Sequence, residues 1–187
     1  MQIMAAIDLE TTGLDAARCE VIDMAVVPLN DDFTVSAEIP EFTSRIKAEH
    51  PETAETDALR VNGMNPNDGV PLEKVRRDFV AWMRDNGIGK IVPLGHNLGF
   101  DMKFLLKTFP EASRVFCHRG RDSMRLALAI NDISVRDDGE AMFRSVSLAA
   151  VKDALGIEGE VNHGAFEDAK DAAAVYRKML ALVSLER

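Results

Sequence analysis

The chain has 187 residues, 47% of them hydrophobic and 28% charged, with a formal net charge of −9 at pH 7. This length and composition exclude a disordered chain and predict one globular domain spanning residues 1–187. The acidic balance argues against a broad nucleic-acid groove driven by electrostatics, but it allows an enzyme that holds only the end of a strand.

The N-terminal apolar run and the two cysteines indicate the expected environment. Residues 3–7 are too short to span a membrane, and no basic residue precedes them, so neither a signal peptide nor a membrane partner is expected. Cys19 and Cys117 lie far apart and are expected to be free thiols. The predicted location is the cytoplasm.

The first part of the chain predicts an antiparallel start to a sheet. Apolar and partly alternating runs indicate strands at residues 3–9, 20–29 and 33–39. Short polar joints at residues 15–18 and 30–32 favour antiparallel neighbours.

The remainder is predicted to be mostly helical, with two further strands. The strands are expected at residues 91–94 and 114–117. Helices are expected at 53–61, 72–84, from a cap at Asn97 to just before Pro110, 124–130 after a cap at Ser123, from a cap at Ser147 to Gly156, and from Ala165 onward. Residues 131–145 are polar and are expected to form a mobile loop. The sum is an α/β fold with a mixed five-stranded central sheet, whose first three strands are antiparallel, flanked by helices.

Three segments carry acidic residues at expected strand ends or helix starts. In residues 8–13 (DLETTG), the side chains of Asp8 and Glu10 should share one face of a strand, where two close carboxylates favour a cation such as Mg²⁺. Residues 96–101 (HNLGFD) place Asp101 in a first helical turn, and residues 163–169 (HGAFEDA) do the same for Asp168. Each acid alone fits an ordinary strand end or the favourable dipole at a helix start.

Together, the three segments resemble the three motifs of the DEDDh, or DnaQ-like, exonuclease family: DxETTG, HNxxFD and HxxxxD. Residues 163–179 (HGAFEDAKDAAAVYRKM) are similar to the proofreading exonucleases of replicative polymerases. The resemblance covers roughly residues 3 to 183. It implies a ribonuclease H-like fold and a 3′→5′ exonuclease that releases nucleoside 5′-monophosphates from single-stranded or frayed DNA ends during replication or repair.

The resemblance also implies site residues, cofactors and partners. Two divalent ions, Mg²⁺ with Mn²⁺ as a substitute, are expected on four ligands: Asp8, Glu10, Asp101 and Asp168. His163 is the expected general base. The expected substrate-binding residues are Thr11, Leu14, Met64, His96 and Phe100. The expected partner is a nucleic-acid 3′ end, DNA rather than RNA, with a DNA polymerase or a second copy of the chain as further candidates.

Three alternatives stay open at this point. An exoribonuclease of the same family would act on short RNA or RNA tails, since the motifs do not report on the 2′-hydroxyl. A silent binding module would keep the fold without catalysis, although the intact acidic set argues against it. A zinc site is the weakest alternative, because the spacings of its four candidates match no usual zinc site: His50, His96, His118 and His163. Asp171, three residues after Asp168, is expected to point to solvent.

Overall fold

A mixed sheet with helices packed on both faces forms the framework of the protein. A computed structural model describes residues 1–109, 112–158 and 164–183. The strands are β1 (Gln2–Thr11), β2 (Val21–Leu29), β3 (Phe42–Lys47), β4 (Val70–Pro71), β5 (Lys90–Gly95) and β6 (Arg121–Asp122). Their order across the sheet is β4-β3-β2-β1-β5-β6. The antiparallel pairing of β1 with β2 and of β2 with β3 is confirmed, and β5 lies parallel to β1.

The positions of two strands differ from the prediction, and the sheet has six strands rather than five among the described residues. Residues 33–39 are not the third strand: Asn30 and Asp32 bind Thr34 through their side chains, so the chain turns here. The third strand follows at Phe42–Lys47. Residues 114–117 do not form a strand: Arg114 and Val115 end α4, and Phe116 forms only an isolated bridge to Ile91.

The helices are α1 (Thr56–Asn62), α2 (Leu72–Asp85), α3 (Leu98–Thr108), α4 (Ala112–Val115), α5 (Ser123–Asp138), α6 (Leu148–Ala154) and α7 (Ala165–Leu182), with a 3₁₀ turn at Pro51–Thr53. The prediction of a loop at residues 131–145 is wrong for the first half of this range, since α5 continues to Asp138. Asn131 there exchanges two hydrogen bonds with the backbone of Phe143, which ties the end of α5 to the next segment. Among the described residues, no helix is long and apolar enough to cross a membrane.

Two helix caps test the sequence patterns directly. Asp122, rather than Ser123, caps α5 by accepting hydrogen bonds from the backbone of Met124 and Arg125. Ser147 caps α6 as expected, accepting from Ala150. Aspartate is as good an N-cap as serine, so the two neighbouring residues could not be separated by preference alone.

The period of two along β1 divides its side chains between two apolar layers. Ile3, Ala5, Ile7 and Leu9 belong to the layer that contains α2 and α3. Met4 and Ala6 face the opposite layer, where α7 presents a row of alanines. Asp8 and Glu10 continue this second series, so the strand itself brings them to the side of α7.

Candidate active site

Asp8 and Glu10 lie at the C-terminal end of β1, beyond the apolar residues of the same strand face. Carboxylate oxygens of Asp8, Glu10 and Asp168 lie within 4.8 Å of one another. Asp8 and Glu10 are half-buried, and Asp168 is buried. The structure therefore brings acids from β1 and from α7, 158 residues apart in sequence between Glu10 and Asp168, into one cluster.

Helix α7 reaches this cluster because the side chains of its first two turns that face the sheet are small. Ala165 and Ala169 are fully buried against Ala6 and Ala25 of the sheet, which lets the helix backbone come close to β1. The backbone N–H of Ala165 donates a hydrogen bond of 3.3 Å to the carboxylate of Asp23 on β2. The first turn of α7 is thus held directly over the strand pair that carries the other acids.

Asp101 completes the set from the first turn of α3. Its side chain is 3% exposed, and its carboxylate accepts a hydrogen bond from the backbone of Leu9, between the two acids of β1. Asn97 occupies the N-cap position of α3 with a left-handed φ of 65°, but its side chain makes no capping hydrogen bond. Its backbone N–H instead donates to Asp122, so the chain after β5 is fixed by β6.

The electrostatics of the cluster favour a cation. Burial, followed by the negative charges of Asp101, Glu10 and Asp168, raises the pKa of Asp8 well above its ordinary value. Burial also raises the pKa of Asp101. The pKa of Glu10 rises from 4.5 to about 7, because of burial first and then of Asp168 and Asp23. Oxygen ligands that repel one another at this spacing suit a hard divalent ion, so the residues present fit Mg²⁺ or Mn²⁺.

Two further residues belong to the site and escaped the sequence analysis. Asp23 pairs with Glu10 across β1 and β2, and burial raises its pKa. Asn62, at the end of α1, donates a hydrogen bond of 3.1 Å to the backbone of Thr11 and opposes the rise in the pKa of Glu10. A signal for Asp23 was present, because it is a charged residue inside an otherwise apolar strand. Asn62 had no such signal, since its role depends on a contact 51 residues away.

The sequence analysis also made predictions for His163, as the general base, and for Asp171, as an acid that faces solvent. His163 lies outside the described residues and stays a prediction. Asp171 does not point freely to solvent, because it forms an ion pair with Lys152 of α6, whose side chain is 5% exposed. The charge of Asp171 is therefore matched within the helical layer.

An apolar groove adjoins the acids and contains three of the five predicted substrate contacts. Thr11, Leu14 and Phe100 line it together with Glu10, and its volume is about 320 Å³. Leu14 is 77% exposed at its rim, although it is a large apolar side chain. Met64 is not among the lining residues of this groove. The groove adjoins the acids at Glu10, and most of its other lining residues are apolar or uncharged.

His96 is held within the protein at both ring nitrogens. Nδ1 lies 2.9 Å from the Ser123 hydroxyl, and Nε2 lies 2.8 Å from the carbonyl oxygen of Val146. Burial lowers its pKa, and Nε2 donates to Val146 because a carbonyl oxygen can only accept. His96 ties the chain after β5 to the starts of α5 and α6, and its nitrogens are committed to those bonds.

Solved structures with a similar arrangement of strands and helices identify the class of fold. Escherichia coli exonuclease I, in a complex with a 5cy-dT13 oligonucleotide, aligns with a TM-score of 0.75 and 17% identity over 97% of this chain and 41% of that chain. Exonuclease I from Methylocaldum szegediense gives a TM-score of 0.71 at 17% identity, again over 97% of this chain and 41% of that chain. The fold is the predicted ribonuclease H-like α/β fold of these nucleases.

The sequence comparisons define the family. The exonuclease family model, RNase_T, matches residues 5–176, so the chain belongs to this family, and the expected DnaQ-like membership is confirmed. Mitochondrial oligoribonuclease from Bos taurus is 27% identical over 123 residues, covering 59% of this chain and 49% of that protein. A PolC-type DNA polymerase III from Staphylococcus haemolyticus is 25% identical over 181 residues, covering 92% of this chain and 11% of that protein. The chain thus spans about half of the first relative and about a tenth of the second.

Proposed function

We propose that this protein is a metal-dependent 3′→5′ exonuclease that releases nucleoside 5′-monophosphates from single-stranded or frayed DNA ends. The observation that carries the proposal is the cluster of Asp8, Glu10 and Asp168, with oxygens within 4.8 Å of one another at the end of an apolar groove. Groups that bind a phosphodiester next to groups that bind its terminal base are what removal of a terminal nucleotide requires.

The four acids are the proposed ligands of two divalent ions. Bound there, such ions would polarise the phosphodiester, activate water and stabilise the leaving oxygen. Asp8, Glu10 and Asp168 would hold the ions directly. Asp101, fixed by the backbone of Leu9, keeps a fourth carboxylate facing Asp8.

His163 is the proposed general base, on the strength of its place five residues before Asp168 in the third motif. A neutral imidazole can take the proton of the attacking water at slightly alkaline pH. His163→Ala should therefore lose turnover while it keeps metal and substrate binding. Full activity of that variant at alkaline pH would show that another group takes the proton.

The decisive experiment is digestion of strands labelled at the 5′ end, with Mg²⁺ and with EDTA. Wild-type protein should shorten a single-stranded DNA stepwise from its 3′ end only when metal is present. Asp8→Asn should remain folded and lose at least about 10²-fold in kcat, because the ion loses a ligand. Asp78→Asn, a change of the same type on the exposed surface of α2, is the matched control. Stepwise shortening by Asp8→Asn at the wild-type rate would refute the assignment of the site.

A second candidate is an exoribonuclease that acts on short RNA, favoured by the similarity to mitochondrial oligoribonucleases. Matched DNA and RNA strands of the same sequence and length separate the two. A higher kcat/KM for RNA at every length would replace DNA by RNA in the proposal. A silent binding module is tested by calorimetry with Mn²⁺, since the absence of binding at millimolar metal would favour it.

A further inference from the structure

A second cavity lies on the same face of the sheet as the acids, at the other end of the strands. Met4 of β1 and Val92 of β5 form its floor, and its volume is about 370 Å³. Its remaining lining is rich in basic residues: Lys90, His118, Arg119 and Arg121. We call it the basic cavity.

The charge of the basic cavity is not matched by the protein. No aspartate or glutamate lines it. Among the described residues, no ion pair is formed by Lys90, Arg119 or Arg121, whereas Arg60, Arg84 and Arg136 each lie beside an acid. In a chain with a net charge of −9, three unpaired cations around one concavity concentrate positive potential where the rest of the surface is acidic.

The loop that carries two of these cations is held firmly. A Cβ on Gly120, between Arg119 and Arg121, would come within 2.4 Å of the Leu98 side chain and 3.1 Å of the Pro93 carbonyl oxygen, so this loop packs tightly on β5 and α3. Arg121 then pairs with Leu94 in the sheet. The cations are therefore presented by fixed backbone.

The position of the basic cavity relates it to the acids. Met4 and Asp8 point to the same face of β1 and are four residues apart, which corresponds to about 13 Å along an extended strand. Ala6 lies between them and is buried beneath α7, so a strand anchored by its 3′ end at the acids would pass around this helix to reach the basic cavity.

We propose that the basic cavity binds a phosphate group of the nucleic-acid backbone upstream of the terminal nucleotide. The inference rests on the proposed function, since it names where the remainder of that substrate lies. The chemistry recognised is a phosphate, which either a strand or free inorganic phosphate can present.

The test compares Arg119→Gln with Arg77→Gln, which removes the same charge from the exposed surface of α2. In an Asp8→Asn background that prevents cleavage, the affinity for a 12-nucleotide DNA is measured against salt concentration. Arg119→Gln should lower the slope of log affinity against log salt by about 0.7, the value for one lost phosphate contact on a single strand. Lys90→Gln/Arg119→Gln should lower it by about 1.4. Arg77→Gln should leave the slope unchanged.

Activity on strands of increasing length gives the second readout. With an intact active site, Arg119→Gln should keep the wild-type kcat/KM on a dinucleotide, which is too short to reach the cavity, and lose kcat/KM on a 12-nucleotide strand. Equal slopes and equal length profiles for Arg119→Gln and Arg77→Gln would overturn the inference while wild-type digestion still supports the proposed function.

Binding of inorganic phosphate, followed by calorimetry, separates the two sources. Loss of phosphate binding in Arg119→Gln with unchanged strand affinity would make the cavity a free-phosphate site and overturn the strand assignment. If the wild-type protein shortens no strand at all, the proposed function fails independently of the cavity.

Discussion

Glu10 is a residue of the acidic cluster whose charge lowers the stability of the metal-free protein. Its carboxylate is half-buried, faces Asp168 and Asp23, and has a pKa raised to about 7. A group whose pKa is higher in the folded than in the unfolded protein stabilises the fold at low pH, and this stabilisation is lost as the pH rises through the folded value. The same charge that weakens the metal-free fold above pH 7 is the one that a divalent ion requires.

The first prediction concerns this pH dependence. In EDTA, the free energy of unfolding of wild-type protein relative to Glu10→Gln should fall between pH 4.5 and pH 7 and then level off. The fall should be on the order of 2 kcal/mol, since one pKa unit is about 1.4 kcal/mol and partial exposure screens part of it. Urea unfolding of both proteins at pH 5, 6, 7 and 8 measures it.

The comparison with Glu10→Gln is needed because His96 changes the free energy of unfolding with pH in the opposite direction. Burial lowers the pKa of His96, so its contribution to stability grows as the pH rises toward 6.5, is complete above that value and is present in both proteins. A difference between the two proteins that is constant from pH 5 to pH 8 would refute the raised pKa of Glu10.

At the scale of elements, the site depends on how α7 is placed on the sheet. Asp23 of β2 accepts the hydrogen bond of Ala165 at the start of α7, three residues before Asp168. Asp23 also raises the pKa of Glu10. Asp23 is therefore a positioning residue with two separable effects. Its oxygen holds the start of α7, and its charge raises the pKa of Glu10.

The second prediction separates these effects. Asp23→Ala should lose about 1 kcal/mol of stability and about tenfold in kcat, because the start of α7 loses its acceptor. Asp23→Asn keeps an acceptor oxygen and should recover most of both. Both variants should shift the pH–rate profile to lower pH, since Glu10 then titrates beside one charge fewer. An unshifted profile in Asp23→Asn would show that the charge of Asp23 does not reach Glu10.

The ion pair between Lys152 and Asp171 joins α6 to α7 three residues after Asp168. Removing one partner of a buried pair leaves an uncompensated charge, whereas replacing both with apolar residues is often nearly neutral. The pair thus holds α7 against α6 one turn after Asp168, a proposed metal ligand.

The third prediction follows from this burial. Lys152→Met should lower the free energy of unfolding by about 3 kcal/mol, and Lys152→Met/Asp171→Leu should recover most of it. Lys74→Met, which removes the exposed partner of Asp78, should cost less than about 1 kcal/mol. Urea unfolding at pH 7 measures all three, and equal losses for the single and double variants at position 152 would contradict the buried-pair account.

The sequence predicted those parts of the fold in which local pattern and tertiary structure agree. The alternation along β1 predicted that Asp8 and Glu10 share a face, and the 3.6-residue period predicted α7. Residues 33–39 have the composition of a strand, but the side chains of Asn30 and Asp32 form a turn that prevents it. The contacts of Asn62 with Thr11 and of Lys152 with Asp171 depend on tertiary packing, and no local pattern predicts them.

At the scale of the whole molecule, the acids connect three parts of the fold that are otherwise joined mainly by apolar packing. Asp8 and Glu10 come from the central strand, Asp101 from α3 on one face and Asp168 from α7 on the other. Without metal, their mutual repulsion opposes closure of these elements over the end of β1. An ion bound among them would reverse that effect and stabilise the folded protein as a whole.

The fourth prediction is a metal-dependent thermal stability. At a free Mn²⁺ concentration of 100 times Kd, binding to the folded protein alone adds about 2.7 kcal/mol. For a chain of this length, each kcal/mol raises Tm by about 2–4 °C, so the expected increase is about 5–10 °C. Calorimetric scans at pH 8 with Mn²⁺ and with EDTA measure it. Asp8→Asn should show a much smaller increase, because the ion loses a ligand. An equal increase in both proteins would mean that the stabilising ion binds elsewhere, and the acids of β1, α3 and α7 would then have no part in it.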